Sequence, residues 1–180
     1  ASLPRRSRAR QAAAMRLTGH VLALIAKLLS GSSVRCNFEL PDDLWMVEMD
    51  TDQISQVVGN LLLNAKQATG EGGEVFVRGR NHSSAPGNLP PGRYVEIEIE
   101  DHGCGIPKKH LKKIFDPYFS TKESGSGLGL STAYSIVKRH GGRLVVESTE
   151  GVGSSFRSVL TRSCRPAATR STAPKRRLSS

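Results

Sequence analysis

Residues 51–69 have the sequence TDQISQVVGNLLLNAKQAT, which places two different faces on one predicted helix. Asp50, followed three residues later by Gln53, resembles a capping box that opens the helix, and the segment GEGG at 70–73 ends it. At about 100° per residue, one stripe is apolar and suits a buried core, whereas the other consists of amides. The apolar positions are Ile54, Val57, Val58, Leu61, Leu62, Ala65 and Ala68, and the amide positions are Gln53, Gln56, Asn60, Asn64 and Gln67.

The amide stripe predicts either a ligand site or an ordinary exposed face. A solvated helix face usually mixes Lys and Glu, whereas a line of carboxamides offers hard oxygen donors to Mg²⁺ or to a phosphate-bound cation. Amide-rich helix faces also occur without a function. The stripe alone therefore leaves both interpretations open.

Two glycine-containing segments strengthen the ligand interpretation. The segment IEDHGCGI at 99–106 puts Asp101 at the end of a predicted strand, where its carboxylate can enter a pocket beside a sharp turn and accept from an adenine amino group. A tight turn without a ligand is the alternative.

The segment GSGLGLS at 125–131 runs into a predicted helix, so its backbone N–H groups can approach phosphate oxygens. It matches neither the Walker nor the Rossmann pattern, and a flexible linker is the alternative.

The remaining elements predict an α+β fold. Helices are expected at 11–30, 107–114 and 129–140, and strands at 34–40, 44–48, 74–80, 94–100, 143–148 and 154–160. The strands at 74–80 and 94–100 are expected to form a hairpin. This order of elements predicts a two-layer α/β sandwich, in which helices cover one face of a mixed, mostly antiparallel sheet.

The net charge of +10 over 180 residues is concentrated at the two ends of the chain. Residues 1–16 and 163–180 each carry five basic and no acidic side chains, so residues 17–162 are neutral. We therefore expect one domain at 17–162 between two disordered basic tails. Nucleic-acid binding by the tails is a weaker alternative, and no nucleic-acid partner is expected.

No apolar run reaches the length of a membrane span, and three widely spaced cysteines favour the cytoplasm.

Five motifs in this order resemble the ATP-binding catalytic domain of sensor histidine kinases, within the GHKL superfamily of kinases and ATPases. Residues 60–68 resemble its N box, 101–105 its first glycine box, 115–119 its F box and 125–130 its second glycine box. Residues 151–156 resemble the final glycine-containing segment, with Ser154 where the family usually has threonine. The resemblance covers about 20–161 and implies a Bergerat-type ATP-binding fold.

The resemblance also implies ATP and Mg²⁺ as cofactors and assigns residues to them. Asp101 would accept from the adenine amino group, and Asn64, with Asn60 beside it, would bind Mg²⁺. Lys122, in a lid at 116–126, would neutralise charge on the γ-phosphoryl group, an ordinary exposed lysine being the alternative. Asn60 and Lys122 are the catalytic candidates. The implied nucleotide-binding set is Asn64, Gln67, Asp101, Gly103, Gly105, Ile106, Phe119, Thr121, Lys122, Gly125, Ser126, Gly127, Leu128, Gly129, Leu130 and Ser154.

Position 60 favours a kinase over an ATPase. Hydrolytic members of the superfamily carry a water-activating glutamate four residues before the metal-binding asparagine, and Asn60 occupies that position here. The resemblance therefore implies a protein histidine kinase that phosphorylates a histidine on a dimerisation domain and acts with a response regulator receiver domain. Because the upstream His20 does not fit the acceptor pattern, we expect the acceptor to lie outside this chain. We expect the chain itself to be cytoplasmic, with the cytoplasmic part of a membrane-bound sensor as one form of this. A GHKL-type ATPase module that drives a conformational change is the alternative.

Overall fold

The computed structural model describes residues 14–15, 17–121 and 125–162. In these ranges the helices are α1 (Leu17–Leu29), α2 (Thr51–Thr69), α3 (Lys108–Leu111) and α4 (Gly129–Arg139). The strands are β1 (Ala14–Met15), β2 (Arg35–Glu39), β3 (Val47–Glu48), β4 (Glu74–His82), β5 (Tyr94–Asp101), β6 (Arg143–Thr149) and β7 (Gly153–Thr161). The expected tails at 1–16 and 163–180 lie almost entirely outside the described residues.

Five strands form one mixed sheet in the order β2-β4-β5-β7-β6. The β2–β4 pair is parallel, and the β4–β5, β5–β7 and β6–β7 pairs are antiparallel. The β4–β5 pairing confirms the hairpin predicted from the alternating sequence. The fold class is confirmed as an open, mostly antiparallel α/β sandwich.

One face of the sheet packs against the helices and forms the core. The apolar stripe of α2 is buried there, with Ile54, Val57 and Leu61 almost completely excluded from solvent. Alternate residues of the central strand β5, such as Ile97 and Ile99, meet this stripe from the other side. Two periodicities, 3.6 on the helix and 2 on the strand, thus bury the same core.

The opposite face of the sheet carries a ladder of ion pairs. Arg78 on β4 contacts Glu39, Glu98 and Glu100, and Arg80 contacts Glu96 and Glu98. The Arg78 guanidinium lowers the pKa of the Glu100 carboxyl through a direct hydrogen bond. Because each buried carboxylate has a cationic neighbour, this polar face needs no covering helix.

Three elements differ from the predictions by three or more residues at one end, and the other boundaries agree to within two residues. The helix expected at 11–30 begins at Leu17, because Ala14–Met15 pair with β3 instead. The strand expected at 44–48 shortens to Val47–Glu48, since the Trp45 N–H donates to the Asn81 side chain at 2.9 Å rather than to a strand. The helix expected at 107–114 covers Lys108–Leu111 and then continues as turns.

Candidate functional site

A cavity of about 360 Å³ opens between α2, the loop after β5, the segment after α3 and the start of α4. It brings together residues that are far apart in sequence, including Asn64, Asp101 and Gly127. The predicted site residues that line it are Asn60, Asn64, Gln67, Asp101, Gly105, Ile106, Phe119, Thr121, Gly125, Ser126, Gly127, Gly129, Leu130 and Ser154.

Three predicted residues are not part of this lining. Gly103 lies just behind it, where its N–H donates to the Asp101 carboxylate. Leu128 faces a second depression between α2 and α4, together with Gln53 and Gln56. Lys122 lies outside the described residues. The amide stripe of α2 is therefore divided: its C-terminal half lines the cavity and its N-terminal half does not.

Asp101 is an almost completely buried carboxylate at the end of β5, with 2% of its surface exposed. Its Oδ1 accepts from the Gly103 N–H at 2.9 Å. Burial raises the pKa of Asp101 above its ordinary value, while the backbone N–H groups of Gly103 and Ser154 lower it. A carboxylate held in this way is a directed acceptor for a donor that enters the cavity.

Close backbone contacts explain the glycines around Asp101. A side chain at Gly103 would collide with the Ala68 carbonyl at the end of α2, and the Cys104 N–H donates to that carbonyl at 3.2 Å. Gly105 has a φ of 65° and lies against the Thr149 carbonyl. The loop therefore needs glycine both for its conformation and for its contact with α2 and β6.

The amides of α2 meet the start of α4. The Asn60 Nδ2 donates to the Gly129 carbonyl at 3.0 Å, which joins the two helices at the edge of the cavity. Asn64 lies one turn further along and is half-buried in the lining. Because one N–H of the Asn60 amide is bound to protein, the side chain is held in place and its carbonyl oxygen is available to a ligand.

The second glycine segment packs against the residues that follow α3. Gly127 has a φ of 66°, and its carbonyl accepts from the Tyr118 N–H at 3.0 Å. A Cβ at Gly127 would lie 2.7 Å from the Tyr118 Cα, so a side chain cannot be accommodated there without a shift. Tyr118 and Gly127 are therefore in close backbone contact just before α4 begins.

Sequence reasoning missed an apolar wall of the cavity. His110 and Phe119 have ring centroids 5.4 Å apart, and Ile114 and Phe156 continue the same wall. The missed lining residues are Leu63, Ala68, Cys104, Pro107, His110, Ile114, Ser120 and Phe156. Half of them lie within a recognised motif, and Ile114 and Ser120 directly flank 115–119, so position in or beside a motif was the available signal.

Comparison with known proteins identifies the family of this site. Residues 49–163 match the family described as Histidine kinase-, DNA gyrase B-, and HSP90-like ATPase. The chain is 42% identical over 147 residues to the sensor kinase CckA of Brucella abortus (strain 2308), covering 77% of this chain and 15% of that protein. It is 38% identical over 140 residues to the sensor histidine kinase ZraS of Escherichia coli (strain K12), covering 78% of this chain and 28% of that protein.

Solved structures agree with the sequence relatives. The mycobacterial sensor histidine kinase MprB has a TM-score of 0.70 at 26% identity, covering 83% of this chain and 97% of that chain. The nucleotide-free catalytic domain of the histidine kinase ThkA has a TM-score of 0.70 at 28% identity, covering 83% and 95%. None of the helices in the described ranges combines the length and apolarity needed to cross a membrane. The chain belongs to the histidine kinase-, DNA gyrase B- and HSP90-like ATPase family, and its catalytic-domain fold is that of the sensor histidine kinases.

Proposed function

We propose that this chain binds Mg²⁺-ATP and supplies the catalytic domain of a two-component sensor histidine kinase. The γ-phosphoryl group would pass to a histidine on a dimerisation domain, in cis in a longer protein or in trans, and then to a response regulator receiver domain. The observation that carries this proposal is that one cavity is lined by Asn60, Asn64 and Asp101 together with the three glycines Gly125, Gly127 and Gly129.

The two ends of the cavity fit the two ends of a nucleotide. Asp101 offers an acceptor to the adenine amino group, and the apolar wall with Ile106 and Phe156 can pack against the base. At the other end, Gly125, Gly127 and Gly129 allow phosphate oxygens to approach the backbone at the start of α4. Gln67, Thr121 and Ser126 add polar groups to this lining.

The donor set of the cavity fits magnesium. Within the described ranges, no group of three or more His, Cys, Asp or Glu side chains is arranged to hold a metal ion. Asn64 and the carbonyl oxygen of Asn60 would therefore hold Mg²⁺ jointly with phosphate oxygens and water, as this cation commonly requires. Bound there, Mg²⁺ would neutralise charge on the phosphates.

The side chains of the cavity favour phosphoryl transfer over hydrolysis. Among the described lining residues, Asp101 is the only carboxylate, and it lies at the base end, where it accepts from the Gly103 N–H. Asn60 has no useful basicity, and its N–H₂ group is bound to Gly129. Among the described residues, the phosphate end therefore has no carboxylate that would activate water. Lys122 is proposed as the cation that stabilises the transferring group.

Calorimetric titration with ATP tests the nucleotide site. Asp101→Ala is expected to weaken ATP binding about tenfold or more, since it removes a charged acceptor. Asn64→Ala is expected to reduce the gain in affinity that Mg²⁺ gives. Gln56→Ala, an amide on the same helix but outside the cavity, is the matched control and should bind as the wild type does. Equal affinities for ATP in all four proteins would contradict the assignment of this cavity as the nucleotide site.

A second experiment tests the reaction. The protein is incubated with γ-labelled ATP and with a purified histidine-containing dimerisation domain of a related sensor kinase. Transfer of label to an acid-labile phosphohistidine is expected, whereas steady acceptor-independent hydrolysis would instead support the ATPase module.

A further inference from the structure

Ser148 on β6 is a hydrogen-bond hub directly behind the base end of the cavity. Its Oγ lies 2.8 Å from the Ile106 N, 2.8 Å from the Gly153 O and 3.0 Å from the Ser154 Oγ. These three groups belong to the loop after β5 and to the first residues of β7. Ser148 itself does not line the cavity.

Only one assignment of donors and acceptors satisfies all three of these hydrogen bonds. The Ile106 N–H can only donate, so Ser148 accepts from it. The Gly153 carbonyl can only accept, so Ser148 gives it the single hydroxyl proton. The Ser154 hydroxyl must then donate its own proton to Ser148, which has one lone pair left.

The direction of the Ser154 proton determines what the cavity offers a ligand. Ser154 is 5% exposed and lies opposite Asp101 in the β5–β7 register, and both residues line the cavity. With its proton given to Ser148, Ser154 has only lone pairs left for the ligand. An ionised Asp101 also only accepts. These two neighbouring side chains therefore favour an amino group on the ligand and oppose a carbonyl oxygen in the same place.

We propose that Ser148 is a positioning residue for nucleobase selectivity: it fixes the Ser154 hydroxyl as an acceptor and so helps the site to prefer a 6-amino purine over a 6-oxo purine. This inference rests on the proposed nucleotide binding. Ser148 acts through Ser154 and touches no ligand. Without Ser148, the Ser154 hydroxyl is free to turn and donate to a 6-oxo group.

Calorimetric titration with ATP and with inosine triphosphate tests the inference, because inosine triphosphate carries a 6-oxo group in place of the 6-amino group. The wild type should prefer ATP. In Ser148→Ala the ratio of the two affinities should fall about two- to tenfold, the equivalent of one hydrogen bond. Ser148→Thr keeps the hydroxyl and should restore the wild-type ratio. If Ser148 had a purely structural role, Ser148→Ala would weaken the binding of both nucleotides equally. An unchanged ratio of the two affinities in Ser148→Ala overturns the inference.

A double-mutant cycle with Ser154→Ala gives an independent readout. Ser154→Ala should lower the ratio in the same way, and adding Ser148→Ala should change it no further. Additive effects on the ratio overturn the inference. If Ser148→Ala does not fold, Ser154→Ala alone still decides, since an unchanged ratio contradicts the role of its hydroxyl. Absence of ATP binding by the wild type overturns the proposed function, whereas ATP binding with unaltered ratios in the variants overturns this inference alone.

Discussion

Ser158 on β7 offers a direct test of the energetics of the core. The side chain is 1% exposed, faces the helices, and lies in register with Ile97 and Leu144. Its hydroxyl has no hydrogen-bond partner among the described residues. A buried hydroxyl without a partner costs about 1–3 kcal/mol, because its hydration is lost and nothing replaces it.

Ser158→Ala is expected to stabilise the protein. The substitution removes that penalty and leaves a void of roughly 10 Å³, which at about 24 cal/mol per Å³ costs only a few tenths of a kcal/mol. The net gain is about 1 kcal/mol in the free energy of unfolding. For a domain of this size, that corresponds to a rise of about 3 °C in Tm.

Urea and thermal unfolding without nucleotide measure this effect against a control on the same strand. Ser155→Ala makes the same chemical change, but the Ser155 Oγ donates to the Glu98 Oε1 at 2.8 Å. Removing this bond to a carboxylate should cost about 1–2 kcal/mol. The two substitutions should therefore shift Tm in opposite directions, and a lower Tm for Ser158→Ala would refute the account of the orphaned hydroxyl.

Three further predictions concern the candidate site. Burial raises the pKa of Cys36 to about 11, whereas Cys104 is exposed and lines the cavity. Alkylation at about pH 8, followed by mass spectrometry, should therefore label Cys104 and spare Cys36. Bound Mg²⁺-ATP should slow the labelling of Cys104. Unprotected labelling of Cys104 at saturating ATP would contradict its placement. Because burial raises the pKa of Asp101 above 3.8, folding favours its protonated form, so the wild type should lose stability relative to Asp101→Asn as the pH rises above that value. Parallel urea-unfolding stabilities from about pH 4 to 7 would exclude this linkage. Gly127→Ala should cost more stability and ATP affinity than Gly151→Ala, since both have positive φ but only Gly127 has backbone within 4 Å of the added Cβ. Equal losses would show that the backbone contact between Gly127 and Tyr118 is unimportant.

The sequence predicted the parts of the fold that depend on periodicity. The apolar stripe of α2 can be buried on only one side of the helix, and the alternating residues of β4 and β5 on only one face of the sheet. The helix, the hairpin and the order of the layers could therefore be predicted. The short β3 was less predictable, because its boundary depends on Asn81, a side chain more than thirty residues away. Local patterns do not contain such a contact.

The candidate site was predictable to the extent that its residues lie within motifs. Asp101 and the glycines were recognisable because five motifs occur together in the order that a known family has, although each motif alone was ambiguous. Ser148 was not, since its importance arises only when the β6–β7 register places Ile106, Gly153 and Ser154 around one hydroxyl. A residue that acts through tertiary hydrogen bonds leaves no local signature in the sequence.

The two ends of the cavity are built by different means, and this difference separates selectivity from reactivity. At the base end, close backbone contacts of Gly103, Gly105 and Gly153 hold Asp101 and Ser154 in place. Such a preorganised end can discriminate between bases at little conformational cost. At the phosphate end, side-chain and backbone hydrogen bonds between segments, such as Asn60 to Gly129, set the geometry. Under the proposed function, a substitution at Asn60 is therefore expected to alter the fate of the phosphoryl group and to leave base recognition intact. Asn60→Glu, which restores a carboxylate at the position of the hydrolytic relatives, should leave the preference for ATP over inosine triphosphate unchanged.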